Sequence, residues 1–214
     1  MTRFVFIRHG ESVVTVERRI GGSLTCSGLS PLGRKQAEAL ADRLARSGEI
    51  AADVLVTSTM RRAVETAEII APALGELPLE IDAGVREHEP GPEVDGLTFE
   101  AFVQRYGVPD WSADPYTTGF PGGETVAEFQ HRAAAAIFAL SQRHLGKTIV
   151  VVCHGGVVDV AFRALLNLPY TGGFQLHTLN ASLTEVLRVE GAWRLIRYND
   201  AAHLEGLPLN TPRG

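Results

Sequence analysis

Only two cysteines, Cys26 and Cys153, occur in 214 residues. That is too few for a disulfide framework or a zinc cluster, so a reduced, cytoplasmic protein is the default expectation. No apolar run approaches the ~20 residues that span a bilayer. The first residues carry one early cation, Arg3, and too short an apolar stretch for a secretory signal. Basic character is missing as well. The net charge of −5 argues against a nucleic-acid partner, which calls for a basic face. No internal repeat and no block of like charge interrupts the chain. Neither HExxH nor another close pair of metal ligands is present, which leaves a metal hydrolase without a motif.

What is present is an ordinary globular balance. Hydrophobic residues make up 45% and charged residues 21%, enough to bury a core without staples. At this length one domain over 1–214 is expected. Residues 3–8 read as a buried strand. Residues 33–46 put Ala37, Leu40, Ala41 and Leu44 on one face of a helix. DVLVT at 53–57 is a second strand. Ser58 or Thr59 suits the cap of a helix over 60–71, which Pro72 helps to end. A short strand at 79–81, a helix over 98–106 capped by Thr98, and an alanine-rich helix over 124–144 follow. KTIVVVC at 147–153 is the most strand-like segment, and a helix over 157–166 comes next. Residues 183–189 and 193–198 form a hairpin turned at Glu190 and Gly191.

Strand and helix alternate, which predicts an α/β fold with a mainly parallel sheet. Its continuous apolar strands predict helices on both faces. Residues 107–123, GVPDWSADPYTTGFPGG, are rich in Gly, Pro, Ser and Thr, and a loop this long suits a lid or substrate cover. The stretch from about residue 207 is expected to fray.

Ligands in open α/β sheets bind beyond the carboxyl ends of the strands. Two strands here end alike, in Arg8-His9-Gly10 and in Cys153-His154-Gly155-Gly156. Glycine lets the backbone approach a ligand, and a helix starting near Gly156 aims free N–H groups at an anion. STMRRA at 58–63 adds arginine after a third strand, a residue that grips phosphate oxygens in a fork. Val85-Arg86-Glu87 adds a carboxylate after a fourth. Taken singly, each has a plainer reading. A strand-end histidine is more often structural, paired arginines more often a solvated face, and Glu87 more often part of a surface ion cluster. Independent surface residues have no reason to gather at one sheet edge.

These segments resemble the histidine phosphatase superfamily, which includes cofactor-dependent phosphoglycerate mutases and many small phosphatases. The likeness runs in order through RHGES at 8–12, LSPLG at 29–33 with Gln36-Ala37, and STMRRAVETA at 58–67. It continues through Val85-Arg86-Glu87 with DGLT at 95–98, PGGET at 121–125, VCHGG at 152–156, NASLT at 180–184 and NDAAHL at 199–204. The resemblance implies a three-layer α/β/α sandwich, phosphoglycerate mutase-like, with a mostly parallel central sheet. It implies that His9 attacks phosphorus and becomes phosphohistidine. Arg8, Arg62 and His154 would hold the phosphoryl oxygens, and Glu87 would act as acid and then base. The spacing to Ala63, Thr66 and Ala67 selects Arg62 over Arg61. Gly155, Thr15 and Gly22 are the further phosphate or substrate contacts, with Thr15 standing where many relatives carry Asn. No metal and no other cofactor is called for, and a homodimer is common among related folds.

Arg8 and Arg62 are expected to lower the pKa of His9. The acid segment carries more carboxylate than a phosphate neighbourhood suggests. The segment of about 88–123, between the acid and the long helix, is expected to form the substrate cover, and between residues 88 and 131 the single cation is Arg105, against Glu89, Glu93, Asp95, Glu100, Asp110, Asp114, Glu124 and Glu128. A mutase must hold a second anionic end, so a phosphatase acting on a small metabolite monophosphate is favoured. Its substrate would carry a neutral, apolar or cationic remainder. A mutase-type phosphoryl transferase and a non-catalytic phospho-ligand binding module are the alternatives. Cys153 is expected in the core and Cys26 near the pocket.

Overall fold

The computed structural model describes residues 1–169 and 176–209. Among them six strands form one sheet: β1 (Thr2–Arg8), β2 (Val54–Thr57), β3 (Leu79–Ile81), β4 (Thr148–Cys153), β5 (Leu183–Val189) and β6 (Ala192–Asp200). Their order is β3-β2-β4-β1-β5-β6. The first four run parallel, β5 returns antiparallel beside β1, and β6 pairs antiparallel with β5. The β5–β6 turn falls at Glu190 and Gly191, with φ of 51° and 87°. Two consecutive positive φ values match the twist of a tight hairpin.

The helices are α1 (Val13–Val16), α2 (Pro31–Ser47), α3 (Arg61–Ile70), α4 (Phe99–Tyr106), α5 (Val126–Arg143) and α6 (Gly155–Leu166). Alternation along the central strands sends neighbouring side chains to opposite layers. Phe4, Phe6, Ile149, Val151 and Cys153 pack with Ile137, Leu140 and Val157 of α5 and α6. Val5, Ile7, Val150 and Val152 pack with Leu40, Leu44, Ala63 and Ala67 of α2 and α3. The expected α/β/α layering is thus present. None of the described helices is long and apolar enough to cross a membrane.

Local chemistry sets the helix starts. Ser30 Oγ accepts the Gly33 N–H at 3.0 Å and Pro31 takes the first position, so α2 begins before the apolar spacing does. Thr98 caps α4, as expected. Thr125 and Glu128 form a reciprocal capping box, which moves the start of α5 to Val126. The helix expected from 157 starts at Gly155, with His154 as its N-cap. Helix α3 is present as expected, but its cap is not: Met60 is the N-cap, with no side-chain cap, and Ser58 faces the functional site instead. The short helix α1 had no periodic signal. Residues 107–123 contain no helix or strand, in keeping with a cover loop. The fraying expected from 207 falls mostly outside the described residues.

Two glycines set how the chain leaves β1. A Cβ on Gly10 would run into the Gly33 carbonyl, and one on Gly33 into the Glu11 carbonyl. The residues after His9 therefore lie flat on the first turn of α2.

An ion network ties the layers together at the opposite end of β1. Arg43 holds Asp200 and Glu49, each at 2.7 Å. Arg197 holds Glu49 at 2.6 Å and Glu185 at 3.0 Å, and Arg3 holds Glu185 at 2.7 Å. Asp200 is held below the usual carboxylate range, chiefly by Arg43. Burial, then the Arg43 charge, pushes His203 down to about 4. An unfolded histidine takes up its proton near pH 6.5, so the unfolded chain binds more protons between those values. Stability is expected to fall as pH drops through that window, and His203→Gln to lessen the slope. Denaturant midpoints measured across pH test this, and an unchanged slope would remove His203 from the account.

Candidate active site

Arg8 of β1 lies in register with Cys153 of β4. The next residue on each strand is a histidine, so His9 and His154 stand side by side, ring centroids 5.0 Å apart. The His9 backbone is held from several directions. Its N–H donates to the Cys153 carbonyl at 3.0 Å, and its carbonyl accepts from Asn180 Nδ2 at 2.8 Å. The Gly10 N–H donates to Thr66 Oγ1 at 3.1 Å.

His9 is only 5% exposed. Its Nδ1 lies 2.6 Å from the Gly10 carbonyl, which can only accept, so Nδ1 carries the proton. The lone pair is then on Nε2, which accepts from Arg62 Nε at 3.0 Å. Burial, followed by the Arg62 and Arg8 charges, pushes the His9 pKa well below its ordinary value. The ring is neutral and its free electron pair faces cations.

Arg62 is buried and also donates to the Gly21 carbonyl at 3.2 Å and to Cys26 Sγ at 3.3 Å. Arg61 points outward to Glu65 at 2.8 Å. Cys26 therefore reaches the pocket. Cys153 sits in the core, where burial pushes its thiol up. Arg8 donates through Nη1 to the Thr178 carbonyl, and its buried Nε has no partner among the described residues. Gly155 packs against the Arg8 guanidinium. His154 is fully buried, with Nε2 at 2.8 Å from Ser58 Oγ and Nδ1 without a partner among the described residues. Its pKa too is driven well below the ordinary value, first by burial and then by Arg62.

Glu87 is fixed at the start of α6. Its Oε2 accepts the Gly156 N–H at 3.1 Å and its Oε1 the His88 N–H at 3.0 Å. A Cβ on Gly156 would run into this carboxylate. Arg132 of α5 clamps the segment from behind. It donates to the carbonyls of Gly84 at 2.9 Å, Arg86 at 3.1 Å and Glu87 at 3.1 Å, and to Glu124 at 2.6 and 2.7 Å.

The surplus acids have their own partners. Asp95 accepts from the Gly22 N–H at 2.9 Å, the Leu24 N–H at 2.7 Å and the Thr25 hydroxyl. Glu89 accepts from the Ser23 hydroxyl. The N–H of Gly22, expected to meet substrate, is thus engaged within the protein. Thr15 is exposed on α1, its hydroxyl 2.9 Å from Ser12 Oγ. The structure brings Arg8, His9, Arg62, His154, Gly155 and Glu87 together, and engages Gly22 and Thr15 elsewhere. Ser58, Thr66, Arg132 and the contact of Asn180 with His9 were not anticipated as parts of the site. The sequence marks Ser58 as a cap, and Thr66 and Asn180 stand within segments of the family likeness without an assigned role.

Beside Glu87 opens a cavity of about 290 Å³ lined by Ile20, Gly21, Glu87, His88, Pro90, Trp111 and Phe120. The rings of Trp111 and Phe120 pack edge-on at 5.1 Å, and both lean on His88. Among the described residues no group of three His, Cys, Asp or Glu is placed to hold a metal ion.

These features define a class: an α/β sandwich with a histidine-centred anion pocket at the carboxyl edge of its sheet. The chain belongs to the histidine phosphatase superfamily (branch 1), whose family model matches residues 4–201. Phosphoglycerate mutase-like protein 4 of Arabidopsis thaliana is 31% identical over 206 residues, covering 94% of this chain and 86% of its own. The metal-independent phosphoserine phosphatase of Arabidopsis thaliana is 27% identical over an alignment of 221 residues, covering 97% of this chain and 85% of its own. Among solved structures, Bacillus stearothermophilus YhfR matches with a TM-score of 0.81 at 30% identity, over 95% of this chain and 100% of that one.

Releasing the clamp gives a direct test of how Glu87 is held. Arg132→Met removes every contact to the 84–87 carbonyls and is expected to cost on the order of 10²-fold in turnover, the usual penalty for a misplaced group. Orthovanadate, a phosphate mimic, should still inhibit at the parent concentration. A parallel loss of vanadate affinity would show that Arg132 supports the whole pocket instead.

Proposed function

We propose that this protein hydrolyses phosphomonoesters of small metabolites through a phosphohistidine on His9, within a single domain. One observation carries the reading. The lone pair of a neutral, buried imidazole, His9 Nε2, is met by Arg62, and the neighbouring Arg8 and His154 each carry a buried nitrogen, Nε and Nδ1, without a partner among the described residues. An uncharged nucleophile among donors is what attack on an anionic phosphoryl group requires.

In the first step a phosphoryl oxygen takes over the Arg62 N–H and Nε2 attacks phosphorus. The N–P bond forms as the P–O bond to the leaving group breaks, and Glu87 supplies the proton that oxygen needs. In the second step Glu87 takes a proton from water, whose oxygen attacks phosphorus and releases His9. Arg8, Arg62 and His154 offset the charge of the phosphoryl oxygens in both steps. The likeness to a metal-independent phosphoserine phosphatase supports a route without metal. Both cysteines are unpaired, which suits a cytoplasmic setting.

The leaving group would occupy the aromatic cavity beside Glu87. Neither lysine nor arginine lines it, so a second anion has no partner there. Arg105, the one cation of the cover, rests on the Tyr106 ring at 5.0 Å and beside Glu93 at 3.7 Å. The N–H groups of Gly22 and Leu24 are taken by Asp95. These points favour hydrolysis of apolar or neutral monophosphates over a mutase reaction.

His9→Ala is expected to abolish hydrolysis of an aryl phosphate and the acid-labile phosphoenzyme, while chelators leave the parent unaffected. Retained turnover in that variant overturns the assignment. The His9 ring should stay neutral well below pH 6.5 in an NMR titration. Arg62→Ala should raise its pKa, because a positive neighbour is removed. Across a panel of monophosphates, kcat/KM should favour aryl and apolar esters. Preference for sugar bisphosphates or 3-phosphoglycerate would sink the substrate reading.

A further inference from the structure

Ser58 is fully buried at the end of β2, next to β4. Its backbone N–H donates to the Val152 carbonyl at 3.1 Å, which sets the residue level with the end of β4. Its hydroxyl has two neighbours. The Met60 N–H donates to Oγ at 3.1 Å, and Oγ lies 2.8 Å from His154 Nε2. A backbone N–H can only donate, so it offers nothing to the hydroxyl proton. Among the described residues the only acceptor recorded for that proton is His154 Nε2. A buried hydroxyl proton left unpaired weakens the fold, so the pairing is favoured.

The O–H of Ser58 therefore points to Nε2, and Nε2 is the acceptor nitrogen. Burial and the surrounding charges keep the ring neutral, so its one proton sits on Nδ1. That nitrogen is buried and has no partner among the described residues. We propose that Ser58 is a positioning residue that fixes His154 as the Nδ1–H tautomer and so turns it into a hydrogen-bond donor for the phosphoryl oxygens. With the opposite tautomer, the Ser58 proton would have no acceptor and a lone pair on Nδ1 would face an anion. Ser58 acts only through His154. The inference rests on the proposed phosphoryl chemistry for its consequence, and not for its geometry.

The test reads the tautomer itself. Long-range ¹H–¹⁵N spectra of the intact protein distinguish a protonated ring nitrogen from one bearing a lone pair. In the parent, His154 should show a protonated Nδ1 and a lone pair on Nε2. Ser58→Ala should move His154 to a mixture or to Nε2–H, and Ser58→Thr, which keeps the hydroxyl, should restore the parent pattern. Aryl phosphate turnover should fall about 10²-fold in Ser58→Ala, the usual loss for one donor at a developing negative charge, and recover in Ser58→Thr. A protonated Nε2 in the parent overturns the proposal, and this needs no variant to fold. An unchanged His154 spectrum in folded Ser58→Ala overturns it equally. Were His9→Ala to keep full activity, the hydrolytic reading would fall while the spectra still decided the role of Ser58.

Discussion

Everything at the site depends on the parallel pairing of β1 with β4. Register places Arg8 opposite Cys153, and so His9 beside His154. A shift of one residue would turn one of the two histidines toward the wrong layer, because side chains alternate along a strand. The register is set by Phe4, Phe6, Ile149 and Val151 on one face and Val5, Ile7, Val150 and Val152 on the other. All of these are fully buried or nearly so. The apolar core is thus what aligns two imidazoles to within a ring's breadth. Gly10, lying on the first turn of α2, turns the chain away immediately afterwards.

Electrostatics then separates two neighbourhoods. Around His9 the protein collects Arg8, Arg62 and His154, and among the described residues no carboxylate hydrogen-bonds to either imidazole. Three other acids near this pocket are held by other groups: Asp95 and Glu89 by the loop at 22–25, and Glu124 by Arg132. A chain with eight acids and one cation between residues 88 and 131 can therefore present an anion-binding pocket. The carboxylates bind N–H groups and hydroxyls of the protein and so stay off the phosphate side.

Much of this was legible in the sequence, for identifiable reasons. Strands and long helices follow from hydrophobic period. His9, His154, Arg62 and Glu87 announce themselves because each follows a strand in a sheet whose ligands gather at the carboxyl edge. Capping boxes are local, so the start of α5 was within reach. Ser58 misled because a serine before a helix is ordinarily a cap, and its histidine partner lies on another strand. Arg132 was silent because its partners at 84–87 are backbone carbonyls, which no residue letter records. The bond from the Gly22 N–H was silent for a similar reason: Asp95, which accepts it, lies far along the chain and meets the loop only in the folded state.

The clamp at Arg132 has a consequence for how substrate range can change. The cover leaves the body at Glu89 and returns at Glu124, and these two residues are bound to each other. The Glu124 N–H donates to the Glu89 carbonyl at 2.9 Å, and the Glu89 N–H to the Glu124 carboxylate at 2.9 Å. The excursion between them is a loop already closed at its neck. Doubling such a loop adds only about 0.6 kcal/mol of closure entropy. Trp111 and Phe120 lie on this excursion, outside the 84–87 carbonyls that Arg132 holds. The neck acts as a socket into which different covers fit, so one hydrolytic centre can be refitted for new alcohols by changes confined to a single stretch of chain.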